Sequence, residues 1–246
     1  MRNNLSKKDI TNYVKNNIDK FHNKRIEKLE NLDLHKILKR KNPYLYKAKN
    51  ILTSQDFVTH ILDAFLQSQE ETLFGEFLEG LAVFVCQKVF NGYKSERLEG
   101  IDLEFVKDST IYIVEIKSGP NWGNSSQIKK MKENFSNAKK ILQSENKDQA
   151  VIAINGCCYG VEVNPYKREY FKYCGQEFWE LISDNENLYT EIIEPLGYKA
   201  KEKNEAFLSA YAKLVNKLTY SFTKEFCLDG VINWTKIVEF NSQKLS

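Results

Sequence analysis

At 246 residues, 42% of them hydrophobic and 13% aromatic, the chain can bury a substantial core and is not a disordered polymer. No run approaches 18 consecutive apolar residues, so a membrane span is not expected, and the opening MRNNLSKKDITNYV lacks the apolar stretch of a secretory signal. The net charge of +3 is unevenly placed: residues 1–50 carry fourteen Lys and Arg against five Asp and Glu, a balance of +9 that leaves −6 over the remainder. A basic segment on a mildly acidic body suits contact with a polyanion, although a solvated amphipathic helix surface reads the same way. The five cysteines are odd in number and show no CxxC spacing, and none of the three histidines (His22, His35, His60) lies near one in sequence. That pattern argues against a structural zinc site and for reduced thiols in a cytosolic protein.

Residues 6–40 show helical spacing, with Ile10, Tyr13, Val14, Ile18, Phe21, Ile26, Leu29 and Leu32 as the apolar positions. Lys41-Asn42-Pro43 stops that region, because proline cannot continue a helix and restricts the residue before it. A second helix is predicted over about 55–67, capped near Thr53-Ser54, and a third over about 70–90 with Leu73, Phe74, Phe77, Leu78, Leu81 and Val85 on one face. The period then changes. Ile101–Val106 and Ile111–Lys117 read as short strands rich in β-branched and aromatic residues. Gly119 to Asn124 has loop chemistry, and Ser125 or Ser126 should cap a helix whose apolar positions are Ile128, Met131, Phe135, Ala138 and Leu142. Ala150–Ile154 is a compact strand ended by Asn155-Gly156, and helical patterns follow near 176–193 and 203–226. The expected domains are a helical N-terminal arm, residues 1–50, and a body of residues 51–246.

The chemistry concentrates in the two strands. Paired as a hairpin closed by Asp108-Ser109, opposite positions sum to 217, so Asp102 faces Glu115 and Leu103 faces Val114. Alternation then puts Ile101, Leu103, Phe105, Tyr112, Val114 and Ile116 on one face, and Asp102, Glu104, Glu115 and Lys117 on the other beside Ile111 and Ile113. A one-residue slip would separate the acids. Directly opposed like charges, with Cβ atoms roughly 4.5–5.5 Å apart, destabilise a sheet. Around a divalent cation the same arrangement makes sense, because Mg²⁺ takes one or two carboxylates, several waters and a substrate phosphate. Lys117 could then orient or deprotonate an attacking water. The plainer alternative is an exposed strand face with Glu115 paired to Lys117.

Gly100-Ile101-Asp102-Leu103-Glu104-Phe105, followed by Ile113-Val114-Glu115-Ile116-Lys117 and the run Ser118 to Asn124, resembles type II restriction endonucleases of the PD-(D/E)XK superfamily. It is similar in detail to the subgroup that cuts interrupted GG-N-CC palindromes, as are Lys41-Asn42-Pro43-Tyr44-Leu45 and Ile154 to Gly160. The likeness is strong over about 95–160, weaker near 36–50, and adds little beyond 165. One departure is Ile101 where the motif name has proline. The resemblance implies an α/β restriction-endonuclease-like core, a central mixed sheet flanked by helices, with additional N- and C-terminal helices. It implies hydrolysis of double-stranded DNA by a homodimer, with Mg²⁺ (Mn²⁺ substituting), leaving 5′-phosphate and 3′-hydroxyl ends. Catalysis falls to Asp102, Glu115 and Lys117. The metal ligands are Asp102, Glu115 and the Ile116 backbone carbonyl; an acid from the preceding helix often joins them, Glu76 first and Glu79 second, though each also reads as a surface glutamate of an amphipathic helix. It further implies a cognate DNA methyltransferase and a prokaryotic cytoplasm.

Asn121, Trp122, Asn124, Ser125, Ser126 and Gln127 lie where a loop meets a helix N-terminus, suited to phosphate or base-edge contact. Trp122 could instead anchor the loop. Lys129 and Lys130 begin a basic strip, continued by Lys132, Lys139 and Lys140, that suits phosphate contact or simply solubility. The shortage of histidine argues against nucleases that use it as base or ligand, and Cys157 and Cys158 read as small packing residues rather than nucleophiles. Two rival functions remain: a repair or recombination nuclease on the same core, and a DNA-binding protein that has lost catalysis.

Overall fold

The computed structural model describes residues 5–146 and 148–244. In chain order the elements are α1 (Lys7–Glu30), α2 (Leu34–Leu38), α3 (Pro43–Ala48), α4 (Ser54–Phe90), β1 (Leu103–Lys107), β2 (Thr110–Lys117), α5 (Ser125–Glu145), β3 (Val151–Cys157), β4 (Phe171–Cys174), α6 (Gln176–Ser183), α7 (Leu188–Glu191), α8 (Ile193–Leu196), α9 (Ala200–Phe226), β5 (Cys227–Leu228), β6 (Val231–Ile232) and α10 (Trp234–Ser242). They form two compact units. One joins the segment ending at Ile18 to Phe74–Tyr198, and the other joins Asp19–Leu73 to the segment beginning at Lys199.

The first unit is the α/β core. Its sheet has the order β1-β2-β3-β4, with β1 and β2 antiparallel and the remaining pairs parallel. The hairpin register is the expected one, Leu103 opposite Val114 through Lys107 opposite Thr110. Asp108 and Ser109 both adopt positive φ (48° and 61°), the twist a two-residue hairpin requires and one that Asp tolerates. Phe105 stacks on Phe90 of α4 and on Tyr112, while Ile111 and Ile113 pack with Met131, Phe135, Ala138 and Leu142 of α5. Ile101 departs from the expected alternation by joining the α5 side. It precedes the strand, in a turn where its N–H bonds to the Leu98 carbonyl beside Gly100 at φ +71°, so strand periodicity does not govern it.

Four further boundaries differ from expectation. The helices expected at 55–67 and 70–90 are one helix, α4, because the polar stretch between them contains no glycine or proline to break it. Pro43 opens α3 at its first turn, where a missing N–H costs nothing, and the Asn42 side chain caps the helix. β3 runs on through Asn155 and Gly156 to Cys157. Gly156 is required there by packing: a Cβ would lie 2.3 Å from the buried Phe178 ring. The helical pattern at 176–193 breaks at Asp184, which takes a left-handed conformation at the end of α6.

The second unit is helical, with the small β5–β6 hairpin. Its core centres on Phe57, which contacts the rings of Tyr46, Phe222 and Trp234. No helix among the described residues is long and apolar enough to cross a membrane.

Candidate active site

The hairpin delivers two carboxylates and an ammonium to one end of the sheet. Asp102 lies just before β1; its N–H bonds to the Val114 carbonyl at 2.9 Å, and its Oδ2 accepts from the Ile116 N–H at 2.8 Å. Glu115 and Lys117 follow on β2, with Lys117 Nζ 2.7 Å from Glu115 Oε1. Burial, then the charge of Glu79, pushes the Asp102 carboxyl above its ordinary value of 3.8. Burial also raises Glu115, Lys117 opposes that rise, and the charge of Asp102 adds to it. Glu115 Oε2 is buried without a hydrogen-bond partner. Two acids thus hold more negative charge than the protein neutralises, an arrangement with little structural benefit.

A helical acid, Glu79 of α4, reaches this centre. A Cβ on Gly75 of α4 would lie 3.4 Å from Ser118, so the helix passes close to the end of β2. One turn on, Lys94 Nζ sits 2.9 Å from Glu79 Oε1 and 3.5 Å from Asp102 Oδ1, linking the two. Glu76 is exposed, and Glu79 is the glutamate of α4 whose charge raises the Asp102 carboxyl. They are three residues apart on one helix. Which faces the sheet depends on how α4 is rotated against it, which the apolar pattern does not resolve. Among the described residues no three His, Cys, Asp or Glu side chains converge as a metal cage. The donors at hand are the two carboxylates and, next to Glu115 on β2, the Ile116 carbonyl.

Behind the centre stands Asn155, read from the sequence as a strand terminator and as part of the resemblance over 154–160 but given no role there. Asn155 pairs with Glu115 in the parallel β2–β3 register, is 1% exposed, and donates through Nδ2 to the Glu115 carbonyl at 3.3 Å. Its Oδ1 accepts from Trp122 Nε1 at 3.0 Å, and Lys117 Nζ lies 4.7 Å from the centroid of the Trp122 ring. The signals available were an Asn inside an otherwise apolar strand and its place in the resemblance over 154–160.

The presumptive DNA-contact residues separate into two groups. Asn124, not Ser125 or Ser126, caps α5: its side chain accepts from the N–H groups of Ser126 and Gln127, and Gln127 returns a bond to the Asn124 N–H. That reciprocal pair completes a capping box, so both side chains have a structural task. Asn121, Ser125 and Ser126 are exposed. Lys129 and Lys130 are also exposed but lie 3.9 and 3.0 Å from Glu133 and Glu99, and Lys132 lies 2.9 Å from Glu169. The basic strip is thus partly neutralised by its own neighbours. Burial pushes the Cys157 and Cys158 thiols up, which suits packing residues and not nucleophiles.

A family model described as type II restriction endonuclease EcoO109I matches residues 8–204, taking in every element from α1 to α8. No curated protein matches the chain.

Proposed function

The chain belongs to the type II restriction endonuclease EcoO109I family, and we propose that Asp102, Glu115 and Lys117 are the residues with which it hydrolyses DNA. As a member of that family it is a site-specific deoxyribonuclease, a hydrolase whose substrate is double-stranded DNA. The observation that carries the residue assignment is the pair of buried, under-neutralised acids, Glu115 with an unpartnered oxygen, beside the Lys117 ammonium.

Type II restriction enzymes generally use divalent metal ions, and the residues here fit one. All donors are oxygens, the preference of a hard cation, and two carboxylates with a carbonyl meet what Mg²⁺ needs when water and phosphate complete its octahedron. Asp102, Glu115 and the Ile116 carbonyl would hold Mg²⁺, with Mn²⁺ able to replace it, and Glu79 would act from α4. When bound, the ion supplies positive charge to the scissile phosphate and to the attacking water. The Ile116 N–H fixes the Asp102 carboxylate through Oδ2. The ammonium of Lys117 has three N–H bonds; one meets Glu115, and the others remain to orient the attacking water at the phosphate. The products are 5′-phosphate and 3′-hydroxyl ends.

The recognised site is proposed to be an interrupted GG-N-CC palindrome, read by a homodimer whose two-fold axis matches it. Asn121, Asn124, Ser125, Ser126, Gln127, Lys129 and Lys130 are the proposed DNA-facing set, with Trp122 anchoring their loop, and residues 1–50 a dimerisation or DNA-clasping arm. A cognate methyltransferase would protect the host DNA in a prokaryotic cytoplasm.

Incubation with a mixed-sequence plasmid and Mg²⁺, with and without EDTA, tests the whole reading. Discrete fragments that vanish with EDTA are expected, and sequencing their ends gives the palindrome. Nicking alone would indicate a repair nuclease, and no cleavage a binding protein. Wild-type cutting by Lys117→Ala would overturn the mechanism.

A further inference from the structure

A lysine side chain has a long, flexible stem and a compact, strongly hydrated charge, so a lysine acting at one point needs something to hold it. One contact, 2.7 Å to Glu115 Oε1, does not do so alone, because that carboxylate is on the same strand two residues away. The second contact is the Trp122 ring, whose centroid at 4.7 Å lies within the range, about 6 Å, where a ring face attracts a cation. Trp122 is itself fixed. Its Nε1–H donates to Asn155 Oδ1 at 3.0 Å, and its apolar body packs against the α5 side of the sheet core.

The loop that carries the indole is held from the other side. Lys172 Nζ donates to the Pro120 carbonyl at 2.9 Å, and the Tyr159 N–H to the Ser118 carbonyl at 3.2 Å. Asn155 is nine-tenths buried and more, and both ends of its amide are committed, Oδ1 to the indole and Nδ2 to the Glu115 carbonyl. A buried side chain amide in an apolar strand is costly unless such bonds are made, and here the bonds tie two active-site segments together.

We propose that Trp122 and Asn155 form a positioning relay for Lys117: the sheet holds Asn155, Asn155 holds the indole, and the indole face holds the ammonium beside Glu115. This rests on Lys117 acting at the scissile phosphate, and it assigns Trp122 to the cleavage step and not to recognition of the DNA. Trp122 and Asn155 touch no reacting atom; they act through Lys117.

The test separates rate from affinity. Single-turnover cleavage is measured with saturating duplex and Mg²⁺, and duplex affinity is measured in EDTA, for full-length Trp122→Leu, Trp122→Phe, Asn155→Ala and Lys117→Met. Trp122→Leu removes the cation–π platform and should slow cleavage roughly tenfold with unchanged affinity, whereas Trp122→Phe keeps a ring face but loses the Nε1–H bond to Asn155 and should cut at a rate between Trp122→Leu and wild type. Asn155→Ala should lower the rate like Trp122→Leu, again at unchanged affinity. Weakened duplex binding by Trp122→Leu with Asn155→Ala unaffected would make Trp122 a DNA contact and overturn the relay. Equal rates for Trp122→Leu and Trp122→Phe would overturn the ring-face contact, and if Trp122→Leu does not fold, Trp122→Phe and Asn155→Ala still decide the matter by their rates. Lys117→Met keeps the two readings apart. If it is inactive while both Trp122→Leu and Asn155→Ala cut at the wild-type rate, only the relay fails; if it cuts normally, the role of Lys117 fails first.

Discussion

Replacing Asp102 with Asn removes a charge and leaves the shape almost unchanged, so it separates a functional carboxylate from a structural one. The Ile116 N–H that donates to Oδ2 at 2.8 Å finds an equivalent acceptor in the Asn carbonyl. Weakening that bond from charge-assisted to neutral costs about 1 kcal/mol. The Lys94 contact, 3.5 Å from an ammonium that is 60% exposed, contributes on the order of 0–1 kcal/mol. Against these stand the burial of the carboxylate and the repulsion from Glu79, and their sum wins, because the Asp102 carboxyl sits above its ordinary 3.8. The sign follows. A raised carboxyl means the folded state binds its proton more readily than the unfolded chain does, so the ionised form lowers stability at neutral pH. Asp102→Asn should therefore raise unfolding free energy at pH 7 by roughly 0.5–2 kcal/mol, the usual gain when a strained functional group is neutralised. The gain should vanish below pH 3.8, where both states carry the proton. Cleavage should fall by about a hundredfold or more, as for other losses of preorganised charge. Urea denaturation in EDTA and single-turnover cleavage measure the two effects. A loss of stability at pH 7 would refute the reasoning and make Asp102 part of the scaffold.

The two glutamates of α4 should separate in a metal-binding assay that needs no turnover. Glu79→Gln is expected to weaken Mn²⁺ binding, followed by electron paramagnetic resonance, by about tenfold, the low end for a group outside the ligand set, while Glu76→Gln leaves it unchanged. The reverse order would favour Glu76, the first choice from the sequence. His22 predicts a pH effect on stability in the second unit. It is 8% exposed with Nδ1 unpartnered, and burial, then Arg25 and Lys203, holds its imidazole below the ordinary 6.5. The unfolded chain therefore takes up the proton first, so stability is complete above pH 6.5 and declines as pH falls below it. Thermal midpoints from pH 8 to 5 should drop less for His22→Leu than for the wild type; parallel curves would acquit His22.

The parts of the centre that the sequence makes legible are the local ones. Asp102, Glu115 and Lys117 belong to two strands joined by two residues, and their register follows from alternation on both sides of a turn whose Asp108 and Ser109 accept positive φ. A slip of one residue would carry Ile111 and Ile113 out of the core formed with α5, so the apolar residues enforce the register that sets the acids together. What was not legible depends on contacts made across crossovers. Glu76 and Glu79 share a helix whose rotation is set only when it meets the sheet. The break expected in α4 was inferred from a polar stretch, yet polar residues without glycine or proline leave a helix intact.

Asn155 shows the same limit from the functional side. Read along the chain, Asn-Gly is turn chemistry and ends a strand. Read across the sheet, Asn155 lies beside Glu115, forty residues away, and Gly156 beside it gives the Phe178 ring the room that any side chain would deny. The residues that supply charge can thus be found from spacing, whereas those that hold the charge in place are recruited by parallel pairing. A strand placed beside the hairpin by the α5 crossover is free to contribute whatever polar group the active centre needs. The burial it imposes obliges that group to bond on both sides, and this is why a single buried amide links the lysine platform to the backbone of the strand that carries Glu115.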